Sequence, residues 1–214
     1  MSETEYMVST RENRPPVRTL PFVHLLAIID RSQSMAGCEQ RTTIALREFF
    51  EELKKHRVRY SVRLVEFSQE ITIHAPQPLE MISYEYKADG TATALWDALG
   101  QALISEKSRE ELVICLIVTD GEENASRELN RRHVQAMIQA REEMGNWIFL
   151  FLNLQGKPNR SAQALGIKCF DYGREDVGAG LKAVAAQLSG VVKRLGPSAG
   201  MKLIIGGKDS NGGE

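Results

Sequence analysis

Two stretches of the chain are apolar without alternation, and each stops on an aspartate: Val23 to Asp30 (VHLLAIID) and Leu112 to Asp120 (LVICLIVTD). Runs of this length, rich in Ile, Leu and Val, predict strands covered on both faces, as in a parallel sheet. Elsewhere the apolar positions recur at helical spacing. Arg41 to His56 places Leu46, Phe49, Phe50 and Leu53 on one face and leaves Glu51, Glu52, Lys54 and Lys55 for solvent. Leu95, Ala98, Leu99, Ala102 and Leu103 form a second stripe, in a helix beginning close to Thr93. A third helix is predicted from about Ser126 to Met144, with Val134, Met137 and Ile138 inward. A fourth runs from Val177 to Leu195, where Val177, Leu181, Val184, Leu188, Val191 and Leu195 alternate steps of four and three. Val58 to Phe67 and Ile71 to Ala75 read as strands joined by the short turn Ser68-Gln69-Glu70, which predicts a hairpin and an antiparallel edge closed by Pro76 and Pro78. Trp147 to Leu152 and Lys168 to Tyr172 are the remaining strands.

Strands alternating with helices predict an α/β fold: a doubly wound, Rossmann-like, mostly parallel six-stranded sheet with one antiparallel edge strand and right-handed crossovers. In such sheets ligands bind beyond the carboxyl ends of the strands, where the winding order reverses. If the two aspartate-terminated strands are neighbours there, Asp30 and Asp120 face one small volume.

Composition narrows the picture. With 214 residues, 43% of them hydrophobic, the chain suits one domain over residues 21–195, flanked by a polar arm (1–20, containing Pro15-Pro16) and a glycine-rich tail (196–214). A formal net charge of -1 supplies no basic field and argues against nucleic-acid binding. Cys38, Cys115 and Cys169 form no CxxC pair and read as small buried hydrophobes in a reducing compartment. The first residues lack the apolar core of a signal peptide, and no membrane-spanning run follows, so a cytoplasmic protein is expected.

The chemistry concentrates at Asp30-Arg-Ser-Gln-Ser34. Ser32 and Ser34, two apart in a loop, can turn both hydroxyls onto one ion, while Asp30 and Asp120 orient its waters or bind it directly. Mg²⁺ suits such a site because it is hard, octahedral and reluctant to shed water. The competing reading is local: a DxS segment commonly forms Asx and ST turns, and Asp120 with Glu123 has the spacing of a capping box. Arg31 and Gln33 stand on the rim, either solvated or placed to contact a partner. Other candidates fall away. His24, His56, His74 and His133 are scattered without zinc-site spacing. Gly206-Gly207-Lys208 lacks the upstream glycine and the Ser or Thr of a phosphate loop, Gly178-Ala-Gly180 lacks the third glycine of a dinucleotide fingerprint, and no GxSxG surrounds either serine.

The DxSxS run at the end of the first strand, a threonine in a later loop and the strand-terminal TDG together resemble the metal-ion-dependent adhesion site of von Willebrand factor A domains. The runs TALWDALG and TDGEENAS are similar to those of small standalone bacterial members, and the resemblance spans roughly Pro21 to Leu195. It implies strand order 3-2-1-4-5-6 with the third strand antiparallel. It also implies a metal-ligand set of Asp30, Ser32, Ser34, Thr93 and Asp120, Mg²⁺ as the ion with Mn²⁺ as the alternative, and a partner protein whose Asp or Glu completes the shell. The loop before the threonine departs from the family's glycine-rich pattern, since Gly90 is followed by Thr91 and Ala92. Thr91 is therefore a rival ligand, and Thr93 is preferred because its spacing to Leu95 and Asp97 matches the family's pattern. A noncatalytic binding module is the leading expectation. A metal-dependent phosphatase or hydrolase is the alternative, disfavoured because DRSQS lacks a second aspartate two residues after the first and has no neighbouring lysine or histidine. A structural subunit with a vestigial site is the third.

Overall fold

A computed structural model of the chain describes residues 20–107 and 110–195. The predicted N-terminal arm, except Leu20, and the C-terminal tail with Gly206-Gly207-Lys208 lie outside the described residues. Seven strands form one sheet: β1 (Phe22–Asp30), β2 (Arg59–Phe67), β3 (Ile71–Ile73), β4 (Gln77–Pro78), β5 (Leu112–Thr119), β6 (Trp147–Asn153) and β7 (Lys168–Asp171). The helices are α1 (Glu39–Lys54), α2 (Leu95–Ser105), α3 (Arg131–Glu143), α4 (Arg160–Leu165) and α5 (Val177–Val192).

The sheet order is β3-β2-β1-β5-β6-β7, with β4 also paired to β2. Setting aside the two-residue β4, this is the implied order. Strands β1, β2, β5, β6 and β7 are mutually parallel, and β3 and β4 run antiparallel to β2. The expected single antiparallel edge strand is thus two short pieces, and the strand count is seven rather than six. Pro78, expected to close the edge, is itself paired opposite Ser61. An edge position tolerates proline because the missing N–H is not required by a further neighbour.

The two apolar runs are central because both of their faces are covered. Val23, Leu25, Ala27 and Ile29 of β1 pack with α1 and α5, while Leu26 and Ile28 pack with α2 on the opposite side. In β5, Leu112, Ile114, Leu116 and Val118 join the first cluster, and Val113, Cys115 and Ile117 the second. At ~25 cal/mol per Å² of apolar surface removed from water, this two-sided burial is the main stabilising term. Gly180 lets α5 come close to β6: a Cβ there would stand 2.6 Å from the Leu152 side chain. That close approach, not dinucleotide binding, accounts for the small residue. Of the cysteines only Cys115 is fully buried; Cys38 and Cys169 are half-buried, Cys169 because β7 is the outermost strand. Among the described residues no helix is long and apolar enough to cross a membrane.

The third helix begins at Arg131, five residues later than the pattern predicts, and the short α4 was not foreseen. Residues 121–130 instead form an irregular segment held by side chains. The buried Asp97 carboxylate, in the first turn of α2, accepts from the backbone N–H groups of Arg127 (2.7 Å), Glu128 (3.1 Å) and Leu129 (2.7 Å). Asn130 then caps α3, its Oδ1 accepting from Arg132 and His133 N–H at 3.0 and 3.2 Å. These bonds satisfy backbone donors that a helix from 126 would have used otherwise.

Asp97→Ala removes one acceptor from three amides and leaves them without a partner in a partly buried place. It is expected to lower the unfolding free energy by about 2–4 kcal/mol, measured by urea denaturation, with Asp97→Asn losing less because its remaining oxygen still accepts.

Candidate metal centre

The winding reverses between β1 and β5: the chain leaves β1 toward β2 and β3, and leaves β5 toward β6 and β7. In the register of this central pair Ile29 lies beside Val118, so Asp30 and the Thr119-Asp120 pair emerge together at the carboxyl edge. The Asp30 side chain is fully buried. Its Oδ1 accepts from Ser32 N–H at 2.8 Å, and its Oδ2 accepts from the Thr119 hydroxyl. The Tyr86 hydroxyl donates to the Asp30 carbonyl at 2.6 Å, fixing the point where the strand gives way to the loop.

The Asx-turn reading of DxS is therefore correct as local structure, and the turn has a consequence. It places the two serine hydroxyls side by side and sets that of Ser34 against Asp120. Ser32 Oγ and Ser34 Oγ lie 2.9 Å apart, and Ser34 Oγ donates to Asp120 Oδ1 at 2.5 Å. Ser32 is buried and Ser34 exposed, so the pair runs from the floor of the site to its mouth. Asp120 caps no helix. The capping-box spacing is used differently: Glu123 accepts from Ala125 N–H (2.9 Å), Ser126 N–H (2.7 Å) and, across the loop, Trp96 N–H at the start of α2 (3.0 Å).

Thr93 reaches the same volume from the loop before α2. It is buried, its N–H donates to Asn124 Oδ1 at 2.9 Å, and its carbonyl accepts from Asn124 N–H at 3.0 Å. A Cβ on Gly121 would lie 2.8 Å from Thr93 Oγ1 and 3.4 Å from Asp30 Oδ2, so this glycine keeps open the space between them. Thr91 is exposed and turned elsewhere, its N–H and hydroxyl both donating to Gln69 Oε1 at 2.8 and 3.1 Å. Of the two threonines, Thr93 is the one brought to Asp30 and Gly121.

Burial raises the Asp30 carboxyl to about 6; the hydrogen bonds from Thr119 and Ser32 oppose this, and the nearby Asp120 charge adds to it. Asp120 is also raised by burial, offset by the Ser34 hydrogen bond and by the Arg174 guanidinium. The two carboxylates, with three hydroxyls around them, form a hard, all-oxygen donor set. Among the described residues no three or more His, Cys, Asp and Glu side chains cluster as a metal site would. Two carboxylates and three hydroxyls have the donor chemistry of a hard cation that completes its shell with water, such as Mg²⁺, rather than that of zinc.

Three residues that shape the site gave no signal in the sequence: Tyr86, Arg174 and Asn159, whose Nδ2 lies 3.4 Å from the Gly121 carbonyl; Thr119, Glu123 and Asn124 lay within the run TDGEENAS without being assigned these contacts. Arg31, a rim candidate, is committed elsewhere. Its Nη1 lies 3.3 Å from Glu66 Oε1, Nη2 pairs with Asp89, and Nε donates to the Lys87 carbonyl at 3.1 Å. Gln33 is exposed on the rim.

No protein-family model and no curated protein sequence matches the chain. Solved structures do match it. Proximal thread matrix protein 1 from the mussel byssus superposes with a TM-score of 0.57 at 12% identity, over 79% of this chain and 47% of that one. VWA2, the ArnB paralog of Sulfolobus acidocaldarius, gives 0.53 at 18%, over 75% and 44%. A von Willebrand factor type A protein from Catenulispora acidiphila gives 0.54 at 16%, over 79% and 43%. The chain thus spans less than half the length of each of these structures. At such low identity the similarity bears on the fold alone, and the fold of this chain is that of a von Willebrand factor A domain.

Proposed function

We propose that the carboxyl edge between β1 and β5 binds a divalent cation, Mg²⁺ with Mn²⁺ as the alternative, and that the chain is a noncatalytic protein-binding module. One observation carries this reading: Asp30, Ser32, Ser34, Thr93 and Asp120 converge from three separate segments on one small volume that Gly121 leaves open. A cation there supplies an open coordination position for an Asp or Glu of a partner protein. Ser32, Ser34 and Thr93 would contribute hydroxyl oxygens, and Asp30 and Asp120 would bind directly or hold coordinated water.

Support for a noncatalytic role comes from where the candidate acids and bases are. His24 is buried against Glu106 at 3.0 Å, His56 is paired with Tyr60 at 2.8 Å and His74 with Glu66 at 2.8 Å, while His133 is exposed on α3. Each is engaged or placed away from the Asp30 loop. The reading locates the protein in the cytoplasm, in keeping with three free cysteines.

Mg²⁺ is expected to raise the thermal unfolding midpoint of the wild type, and EDTA to reverse the shift. At a free concentration a hundredfold above Kd the stabilisation is ~2.7 kcal/mol. The double variant Ser32→Ala/Ser34→Ala should lose the response to Mg²⁺ and EDTA, from a metal-free midpoint lowered by the loss of the Ser34 hydrogen bond to Asp120. In a paired pull-down, a partner retained in Mg²⁺ and released by EDTA or by the double variant supports the bridge; a partner indifferent to both points to a vestigial site.

The pH dependence has a definite sign. The Asp30 carboxyl stands at about 6 in the fold against 3.8 as its ordinary value, so its contribution to folding is complete below 3.8 and is lost as pH rises through about 6. At neutral pH the metal-free protein holds a buried charge. Asp30→Asn, whose oxygen can still accept from Ser32 and whose amide can donate to Thr119, is expected to stabilise the metal-free protein by about 1–3 kcal/mol at pH 7.5. That advantage should shrink as the pH falls from about 6 toward 3.8, and the variant should bind no Mg²⁺ at any pH. Wild-type Mg²⁺ affinity, followed by calorimetry, should weaken below about pH 6 as protons compete for Asp30.

A further inference from the structure

Arg174 has no counterpart among the residues so far assigned to the site, yet it stands at the mouth. It lies in the short turn Arg174–Asp176 between β7 and α5, far in sequence from both aspartates. One guanidinium nitrogen, Nη1, donates to the Ser34 carbonyl, and Nε lies 3.6 Å from Asp120 Oδ2. Nearly half of the side chain, 46%, is exposed, whereas that of Asp120 is 3% exposed. The cation therefore faces solvent on one side and a buried carboxylate on the other. With five N–H donors on a planar fork, Arg174 retains donors beyond these two contacts for a second group arriving from solvent.

These facts have two consequences of opposite sign. A positive charge 3.6 Å from Asp120 opposes the entry of a divalent cation beside the same carboxylate, because like charges repel and solvent around the half-exposed guanidinium screens that repulsion only in part. The same charge at the rim attracts an anion approaching the open side of the site. A carboxylate can accept two parallel N–H bonds from a guanidinium, which adds geometry to the attraction. Arg31, in the Asp30 loop, does not compete for this task because Glu66, Asp89 and the Lys87 carbonyl hold it.

We propose that Arg174 is a specificity-determining residue of this site: it weakens the hold on the cation and strengthens the hold on the partner's carboxylate, so that cation and carboxylate bind together better than the cation alone. The inference rests on the metal-binding reading above. It extends that reading by assigning part of the recognition of the incoming carboxylate to a side chain of this chain, outside the cation's ligands.

The test uses the full chain, Mn²⁺ as the cation and acetate as the carboxylate probe. Mn²⁺ affinity is read by calorimetry. Acetate affinity is read from the paramagnetic relaxation of acetate carbon by protein-bound Mn²⁺. In Arg174→Ala, Mn²⁺ binding should tighten by about three- to tenfold while acetate binding weakens by a similar factor. Arg174→Lys keeps the charge and loses the fork, so Mn²⁺ affinity should stay near the wild type while acetate affinity falls. A merely structural role would move both affinities downward together, and that result overturns the proposal. Unchanged acetate affinity in Arg174→Ala, with Mn²⁺ still bound, overturns it and leaves the metal site standing. A wild type that binds no Mn²⁺ overturns both.

Discussion

The constraint on which this molecule depends is the burial of the Asp30 carboxyl at the end of a strand that is itself buried on both faces. Strand β1 is central in the sheet, and its apolar residues leave no choice about where it lies. Its last residue must then resolve a conflict between a low-dielectric surrounding and a group that ionises readily. The fold answers with the Ser32 N–H and the Thr119 hydroxyl on the two carboxyl oxygens, and still leaves the carboxyl raised to about 6. A group held so far from its ordinary state is one that a cation would stabilise.

The loops around that carboxyl are fixed by other carboxylates acting on backbone N–H groups. Asp97 gathers the amides of residues 127–129, and Glu123 ties residues 125 and 126 to the start of α2. Asn124 and Thr93 exchange backbone and side-chain bonds at 2.9 and 3.0 Å. Together they hold an irregular segment in place without secondary structure, so that Gly121 and Asp120 stand still beside Asp30. Precision at the site thus comes from satisfied hydrogen bonds in loops resting on a rigid sheet, the arrangement by which such folds vary their chemistry without changing their core.

The wrong expectations share one cause. The helix expected from Ser126 shows adequate apolar spacing only from Val134 onward; before that, the amides of residues 127–129 are claimed by Asp97, about thirty residues away in sequence, and those of residues 125 and 126 by Glu123 within the same segment. Ser126, which looked like a helix start, serves the Trp96 and Asp97 N–H groups at 3.0 and 3.1 Å instead. Arg31 looked available at the rim and is tied down by Glu66 on β2, whereas Arg174, which had no motif to mark it, stands at the mouth. Periodicity reports what a segment buries, and it is silent on which distant carboxylate will take its amides.

The sequence by itself determined the two-sided burial of β1 and β5, the aspartates at their ends and the placing of most helices, because apolar runs and helical stripes are local records of long-range burial. Its short motifs also determined which oxygens are candidates for a site. Only the tertiary structure decided that Thr93 rather than Thr91 lies beside Asp30 and Gly121, that a second antiparallel piece and not a proline stop covers the edge, and that Arg174 meets Asp120. The first and the last of these depend on which of two chemically equivalent residues a loop carries into a shared volume. That choice is made by hydrogen bonds between segments far apart in the chain, such as Gln69 with Thr91 and Asn124 with Thr93.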